Sequence, residues 1–135
     1  GLFDKNKTLW GGWWIETSKI KLVHLGDTGY SNDFIEINKR LGSPDLAFIP
    51  IGAYSPRRIM KKSHMNPEEA LRAAVDLKAK KAIGMHWGTF ILTTEPVKEP
   101  KTLLRDLIED GNFSEDYFIT LKPGSLFKFG TNIKK

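Results

Sequence analysis

The heptapeptide Asp45-Leu46-Ala47-Phe48-Ile49-Pro50-Ile51 is apolar at consecutive positions rather than at alternate ones. A strand of that kind is buried on both faces, so the chain must place cover above and below it. The next segment limits what the cover can be. Asn66-Pro67-Glu68-Glu69 is a strong helix start: Asn can cap, Pro suits the first helical position, and two acids meet the positive end of the helix dipole. Ala70, Leu71, Ala74 and Leu77 then share one face of a helix expected to run to about Lys80. A second buried strand, 81–86, follows after a very short connection.

The rest of the chain extends this alternation. Residues 8–16 read as a Trp-rich strand with a glycine break, and the Ser18-Lys19 turn joins it to a strand at 20–25 as a hairpin. Ser31 or Asn32 can cap a short helix through 33–37 that Gly42 ends. The stretch 52–65 shows no period and reads as irregular. After a Pro-broken loop at 88–99, residues 101–110 form an amphipathic helix with Leu103, Leu104, Leu107 and Ile108 inward and Gly111 at its end. Two short strands are expected at 117–121 and 125–129, around Pro123-Gly124. Strands alternating with helices indicate an α/β layered fold, and 135 residues form one unit.

Composition narrows the chemistry. The sequence has no cysteine, so disulfides and thiolate ligands are excluded and a metal must be held by His and carboxylates. No apolar run approaches the roughly 18 residues a membrane span needs, and no secretory signal is visible, so a cytoplasmic protein is expected. The net charge of +5 comes from dispersed lysines and from clusters at Arg57-Arg58, Lys61-Lys62, 78–81 and Lys134-Lys135. Such a balance favours anionic partners mildly, and solvated faces explain it equally.

Two motifs put reactive side chains at the ends of apolar runs: Gly26-Asp27-Thr28-Gly29-Tyr30 after 20–25, and His86-Trp87-Gly88-Thr89 after 81–85. The glycines let the backbone turn off the strand end and present Asp27 outward. Asp27 is a candidate metal ligand or an Asx-turn residue, and His86 a ligand or a hydrogen-bonded core histidine. His64, two residues before the cap Asn66, suits a phosphate or a developing oxyanion near a helix N-terminus, or is a loop histidine in solvent. His24, inside its strand, reads as structural or partly exposed. Tyr54 and Arg57 lie beyond the end of strand 45–51, where ligands of α/β sheets bind, and are candidate substrate contacts, Arg57 as a phosphate clamp. Ser55 has no base beside it. Trp10, Trp13 and Trp14 read as core packing, with a lipid or substrate platform as the alternative.

Taken in order, these segments resemble the second half of a metallo-β-lactamase-fold hydrolase, in the branch of N-acylphosphatidylethanolamine-hydrolysing phospholipase D and its bacterial relatives. The resemblance is carried by Asn6-Lys7-Thr8-Leu9-Trp10-Gly11-Gly12-Trp13, Gly26-Asp27-Thr28-Gly29-Tyr30 and the run from Asp45 to Tyr54. It continues through Pro56-Arg57, His64-Met65-Asn66-Pro67-Glu68-Glu69-Ala70 and His86-Trp87-Gly88-Thr89-Phe90. It implies the C-terminal half of an αβ/βα sandwich: one mixed sheet with helices on one face, and residues 1–135 as a single partial domain. It also implies a two-zinc site. There Asp27 matches the carboxylate bridging both metals, His86 a terminal ligand of the second zinc, and His64 a catalytic histidine near the phosphate or leaving group.

The family's His-x-His-x-Asp-His signature and a further histidine of a His-Trp pair do not occur in this sequence. The resemblance therefore implies weak or partial zinc binding by this chain alone, and no complete active site. The expected partner is a separately encoded or missing N-terminal half, or a second copy. The expected substrate is a phosphate-containing small molecule or lipid; no nucleic-acid partner is expected. Attachment to a membrane surface would fit a lipid substrate. The alternatives are a non-catalytic oligomeric remnant of a split gene, or part of a hydrolase for another ester, lactone or nucleic-acid phosphodiester.

Overall fold

The computed structural model describes residues 11–129. Its elements run β1 (Trp13–Glu16), β2 (Lys21–His24), α1 (Asp33–Leu41), β3 (Leu46–Pro50), α2 (Arg57–Met60), α3 (Pro67–Asp76), β4 (Lys81–Met85), α4 (Glu99–Asp110) and β5 (Phe118–Thr120). One five-stranded sheet is ordered β1-β2-β3-β4-β5. β1 and β2 form an antiparallel hairpin closed by the Thr17 amide on the Ile20 carbonyl at 2.9 Å. All other neighbours are parallel. A mixed sheet of this kind is the expected fold.

Register shows which face is covered. Trp14, Val23, Ala47, Ala82 and Phe118 lie opposite one another across the five strands. Val23, Ala47, Ala82 and Phe118 share a core with Phe34 of α1, Ala70, Ala73 and Ala74 of α3, and Leu104 and Ile108 of α4. The helices thus cover one face, with α3 packed between α1 and α4. Its alanines let it approach the sheet closely. The other face carries the row Trp13, His24, Phe48, Ile83 and Ile119, none of them in that core. Trp13 is 73% exposed. The expected packing of the Trp cluster therefore fails at Trp13, because β1 is an edge strand and Trp13 points away from the helices. Trp14 is half-buried on the helical face, and Trp10 lies outside the described residues.

Local chemistry explains the helix limits. At α3 the capping box forms: Asn66 Oδ1 accepts from the Glu69 amide at 2.9 Å, and the Glu69 carboxylate accepts from the Asn66 amide. The helix stops at Asp76, short of Lys80, because Lys78 adopts φ +51°. That residue lets the Ala79 amide reach Ala74 and the Lys78 amide reach Val75, a Schellman ending with lysine where glycine is usual. α4 starts earlier than expected, with Pro100 inside its first turn, where a missing N–H costs nothing. The stretch expected to be irregular contains the one-turn α2. Residues 125–129, expected as a second short strand, form no strand.

Candidate metal centre

Parallel strands put their carboxyl ends on one edge, and β2, β3 and β4 deliver the three chemical loops there. Gly26, at φ +67°, turns the chain off β2, and its amide donates to His24 Nδ1 at 3.2 Å. His24 is exposed on its strand, so it serves the turn and not the core. The Asp27 carboxylate that follows makes no hydrogen bond to its own backbone among the described residues, so no Asx-turn holds it. Its Oδ2 lies 3.5 Å from His86 Nε2, with the side chains 60% and 24% exposed.

His86 ends β4 at φ +59°, a left-handed corner that costs a non-glycine residue roughly 1 kcal/mol or more. Its Nδ1 is buried and has no hydrogen-bond partner, and the same holds for His64 Nδ1. The two rings stand 5.3 Å apart between centroids. Burial, then the neighbouring His86, hold the His64 imidazole below its usual pKa, so near pH 7 it is neutral and keeps a lone pair. One ligand atom from each of Asp27, His64 and His86 lies within 4.8 Å of the others.

These residues fit a metal ion. Ligand atoms on one zinc stand roughly 3.3–3.6 Å apart, from bonds of about 2.0–2.2 Å in a tetrahedron. The Asp27 Oδ2 to His86 Nε2 distance of 3.5 Å falls in that range, and the His64 ligand atom lies within 4.8 Å of both. A carboxylate and two imidazoles are the donor types that a zinc ion takes. The sequence-predicted set of Asp27, His64 and His86 is therefore brought together by the fold.

Tyr54 and Arg57 are placed differently. Tyr54 is buried, its hydroxyl donating to Glu99 and its amide to Glu95 Oε1 at 3.1 Å. Burial and then Glu99 push the phenol well above its ordinary pKa. Arg57 donates to the carbonyls of Tyr54 and His64 and to Glu69. Both side chains direct their polar atoms at protein partners, a bracing arrangement rather than the open clamp expected of Arg57.

Backbone contacts fix the loops to one another. The Met65 amide donates to the Thr28 carbonyl at 3.1 Å, joining the His64 and Asp27 loops. Gly29 lies so close to this segment that a Cβ would stand 2.6 Å from the Lys61 carbonyl oxygen. Tyr30 donates to Asp76 and carries Arg72 over its ring at 4.4 Å, tying the Asp27 loop to α3. Glu95 grips the amides of Tyr54 and Ser55, both at 3.1 Å. This clamp had no signal in the sequence, since Glu95 sits in a loop without period.

The clamp should be visible in acid. Burial pushes the Glu95 carboxyl up, but hydrogen bonds from Thr93, its own amide, Ser55 and Tyr54 outweigh it and hold the group below the ordinary glutamate range. A depressed carboxylate stabilises the fold above its unfolded pKa, and that contribution is lost as pH falls through the folded value. Glu95→Gln should therefore be less stable than wild type at pH 6, with the gap closing below about pH 4.5. Urea midpoints measured down that range check this; a constant gap would show that Glu95 ionisation is not involved.

A cleft of about 350 Å³ opens beside the site, lined by His86, Trp87, Thr89, Phe90 and Leu92. Phe90, Ile91 and Leu92 are strongly exposed.

Comparison with known proteins agrees with this architecture. Residues 1–87, more than half of the chain, match the family described as beta-lactamase superfamily domain. The chain is 40% identical over 131 residues to N-acyl-phosphatidylethanolamine-hydrolyzing phospholipase D 1 of Caenorhabditis elegans, covering 95% of this chain and 37% of that protein. It is 42% identical over 117 residues to the mitochondrial N-acyl-phosphatidylethanolamine-hydrolyzing phospholipase D of Saccharomyces cerevisiae, covering 84% and 25%. The chain thus spans between a quarter and two fifths of the length of these relatives. Among solved structures, a metallo hydrolase from the archaeon Ignicoccus hospitalis superposes with a TM-score of 0.62 at 26% identity, over 91% of this chain and 48% of that one. Family match, sheet order and ligand-bearing edge agree: the chain belongs to the metallo-β-lactamase superfamily.

Proposed function

We propose that this chain supplies one side of a metal-dependent hydrolase centre, and that the complete centre is a zinc phosphodiesterase acting on a lipid of the N-acylphosphatidylethanolamine kind. The observation that carries the reading is the convergence of Asp27, His64 and His86 within 4.8 Å, with His86 Nε2 facing Asp27 at 3.5 Å. Zinc fits an all-imidazole and carboxylate donor set. The activities for which the worm and yeast relatives are named support the substrate class, as does the apolar wall of Phe90 and Leu92 beside His86.

When bound, a divalent metal supplies Lewis acidity, lowering the pKa of a water and offsetting charge on phosphate oxygens. The chain's own residues do the rest. Asp27 offers an exposed carboxylate, and His86 offers a ring from the left-handed corner after β4. Neutral His64 holds a lone pair where a proton or a phosphate oxygen can be met. Three ligands suffice for one ion held loosely; a second ion needs more. The reading therefore includes a partner half bearing His-x-His-x-Asp-His, seated on the sheet face away from the helices, where Trp13 and Ile15 of β1 are exposed. No helix among the described residues is long and apolar enough to cross a membrane; a cytoplasmic location at or near a membrane surface belongs to the same proposal.

The lone chain should hold less than one tightly bound zinc, self-associate, and show no turnover. Adding a segment with the missing signature, taken from the worm relative, should restore hydrolysis of N-acylphosphatidylethanolamine, and a chelator should remove it. Size-exclusion chromatography, metal analysis and a lipid assay read these outcomes. A compact monomer with two tight zinc ions would overturn the partner reading, and a folded, metal-loaded pair inert on this lipid would overturn the substrate.

A further inference from the structure

We infer that Arg57 is a positioning residue for His64, and through it for the metal group; this rests on the metal-centre reading above. The guanidinium stands where three segments meet. Its Nη1 donates to the Tyr54 carbonyl at 3.2 Å and to the His64 carbonyl at 2.8 Å, and its Nη2 donates to Glu69 Oε2 at 2.5 Å. Glu69 is itself fixed, as the third residue of α3 and half of the capping box with Asn66. Arg57 thus bolts the exit of β3 to the first turn of α3, with His64 bound between them.

The consequence for His64 is geometric. Its amide donates to the Met60 carbonyl at 2.8 Å, and its carbonyl accepts from Arg57. With both backbone groups held, the direction in which the side chain leaves the backbone is set. The ring then lies beside His86 with its Nδ1 unpartnered. A lysine at position 57 keeps the charge but not the planar fork that reaches the His64 carbonyl and Glu69 together. Both terminal nitrogens of Arg57 are already engaged, which favours bracing over direct contact with a substrate anion.

Cobalt(II) titration of the purified chain, followed by the visible absorption of the bound ion, tests the inference without any assay of turnover. Arg57→Lys should weaken cobalt binding about ten- to a hundredfold, the usual range for groups that orient ligands, and should alter the band shape as His64→Ala does. The double variant should bind no more weakly than His64→Ala alone, because the two act through one side chain. If Arg57→Lys weakens binding by the same factor with His64 present or absent, its role is only structural; wild-type affinity and bands in Arg57→Lys reject it equally. Glu69→Gln, which loosens the same bolt while keeping Arg57, should show the same dependence on His64 and decides the matter if Arg57→Lys does not fold. Asp27→Ala and His86→Ala serve as the separate control: cobalt binding unchanged in both, or absent from wild type at millimolar cobalt, removes the metal centre itself and the inference with it.

Discussion

Gly52→Ala is expected to destabilise the domain by about 2–4 kcal/mol, at and beyond the upper end of the usual range for overpacking, and to abolish metal binding. The cause is space and not conformation. A Cβ at position 52 would lie 2.2 Å from the His86 carbonyl oxygen and 3.2 Å from the Trp87 Cα. Both are backbone atoms, so no side chain can swing away. Relief requires the exits of β3 and β4 to separate, which strains the Ile51 amide to Met85 carbonyl bond at 3.0 Å. The same movement carries His86 away from Asp27. Urea unfolding and metal analysis of the variant measure the two effects, and a variant with wild-type stability and metal content would show that the approach is not this tight.

Asp27→Ala and His86→Asn should have the opposite profile, with the fold kept and the chemistry lost. Asp27 is largely exposed and makes no hydrogen bond to its own backbone among the described residues, so its removal should shift stability by no more than about 0.5 kcal/mol. Asparagine tolerates the left-handed corner that His86 occupies at φ +59°, which keeps the backbone while replacing the imidazole ligand with a weaker amide. In the complemented enzyme each change should lower turnover more than about a thousandfold, the scale of losing a metal that activates water and offsets charge. Retained turnover in either variant, with normal unfolding curves, would rule out the ligand assignment. Gly52 and Asp27 lie on adjoining loops, so the contrast between the two profiles separates scaffold from chemistry.

Much of this architecture was legible in the residues because it rests on local rules. The run 45–51 became β3, buried against its neighbours, and Asn66-Pro67-Glu68-Glu69 became a capping box. The ligand group was legible because Asp27, His64 and His86 lie in motifs that resemble a known family, a match of pattern more than of physics. What could not be read depends on contacts far along the chain. Lys78 in a left-handed turn breaks the rule that glycine ends helices, and nothing beside it announces that. The one-turn α2 is too short for a periodic signal. Glu95 acquires its role only when the loop after His86 folds back over Tyr54. Trp13 looks like core until β1 is known to be an edge strand.

The two edges of the sheet age differently. At the edge bearing Asp27, His64 and His86, loops meet backbone to backbone, through Gly29 and Gly52. At the opposite edge the turns into β3, β4 and β5 add surface ion pairs to their backbone bonds, Lys80 on Asp45 at 2.7 Å and Lys81 on Asp116. Side-chain fastenings near the surface can be exchanged one residue at a time, whereas a carbonyl cannot be mutated away. The pairs at Asp45 and Asp116 are therefore open to exchange, while a side chain added at 29 or 52 would meet carbonyl oxygens at 2.6 and 2.2 Å that cannot be substituted.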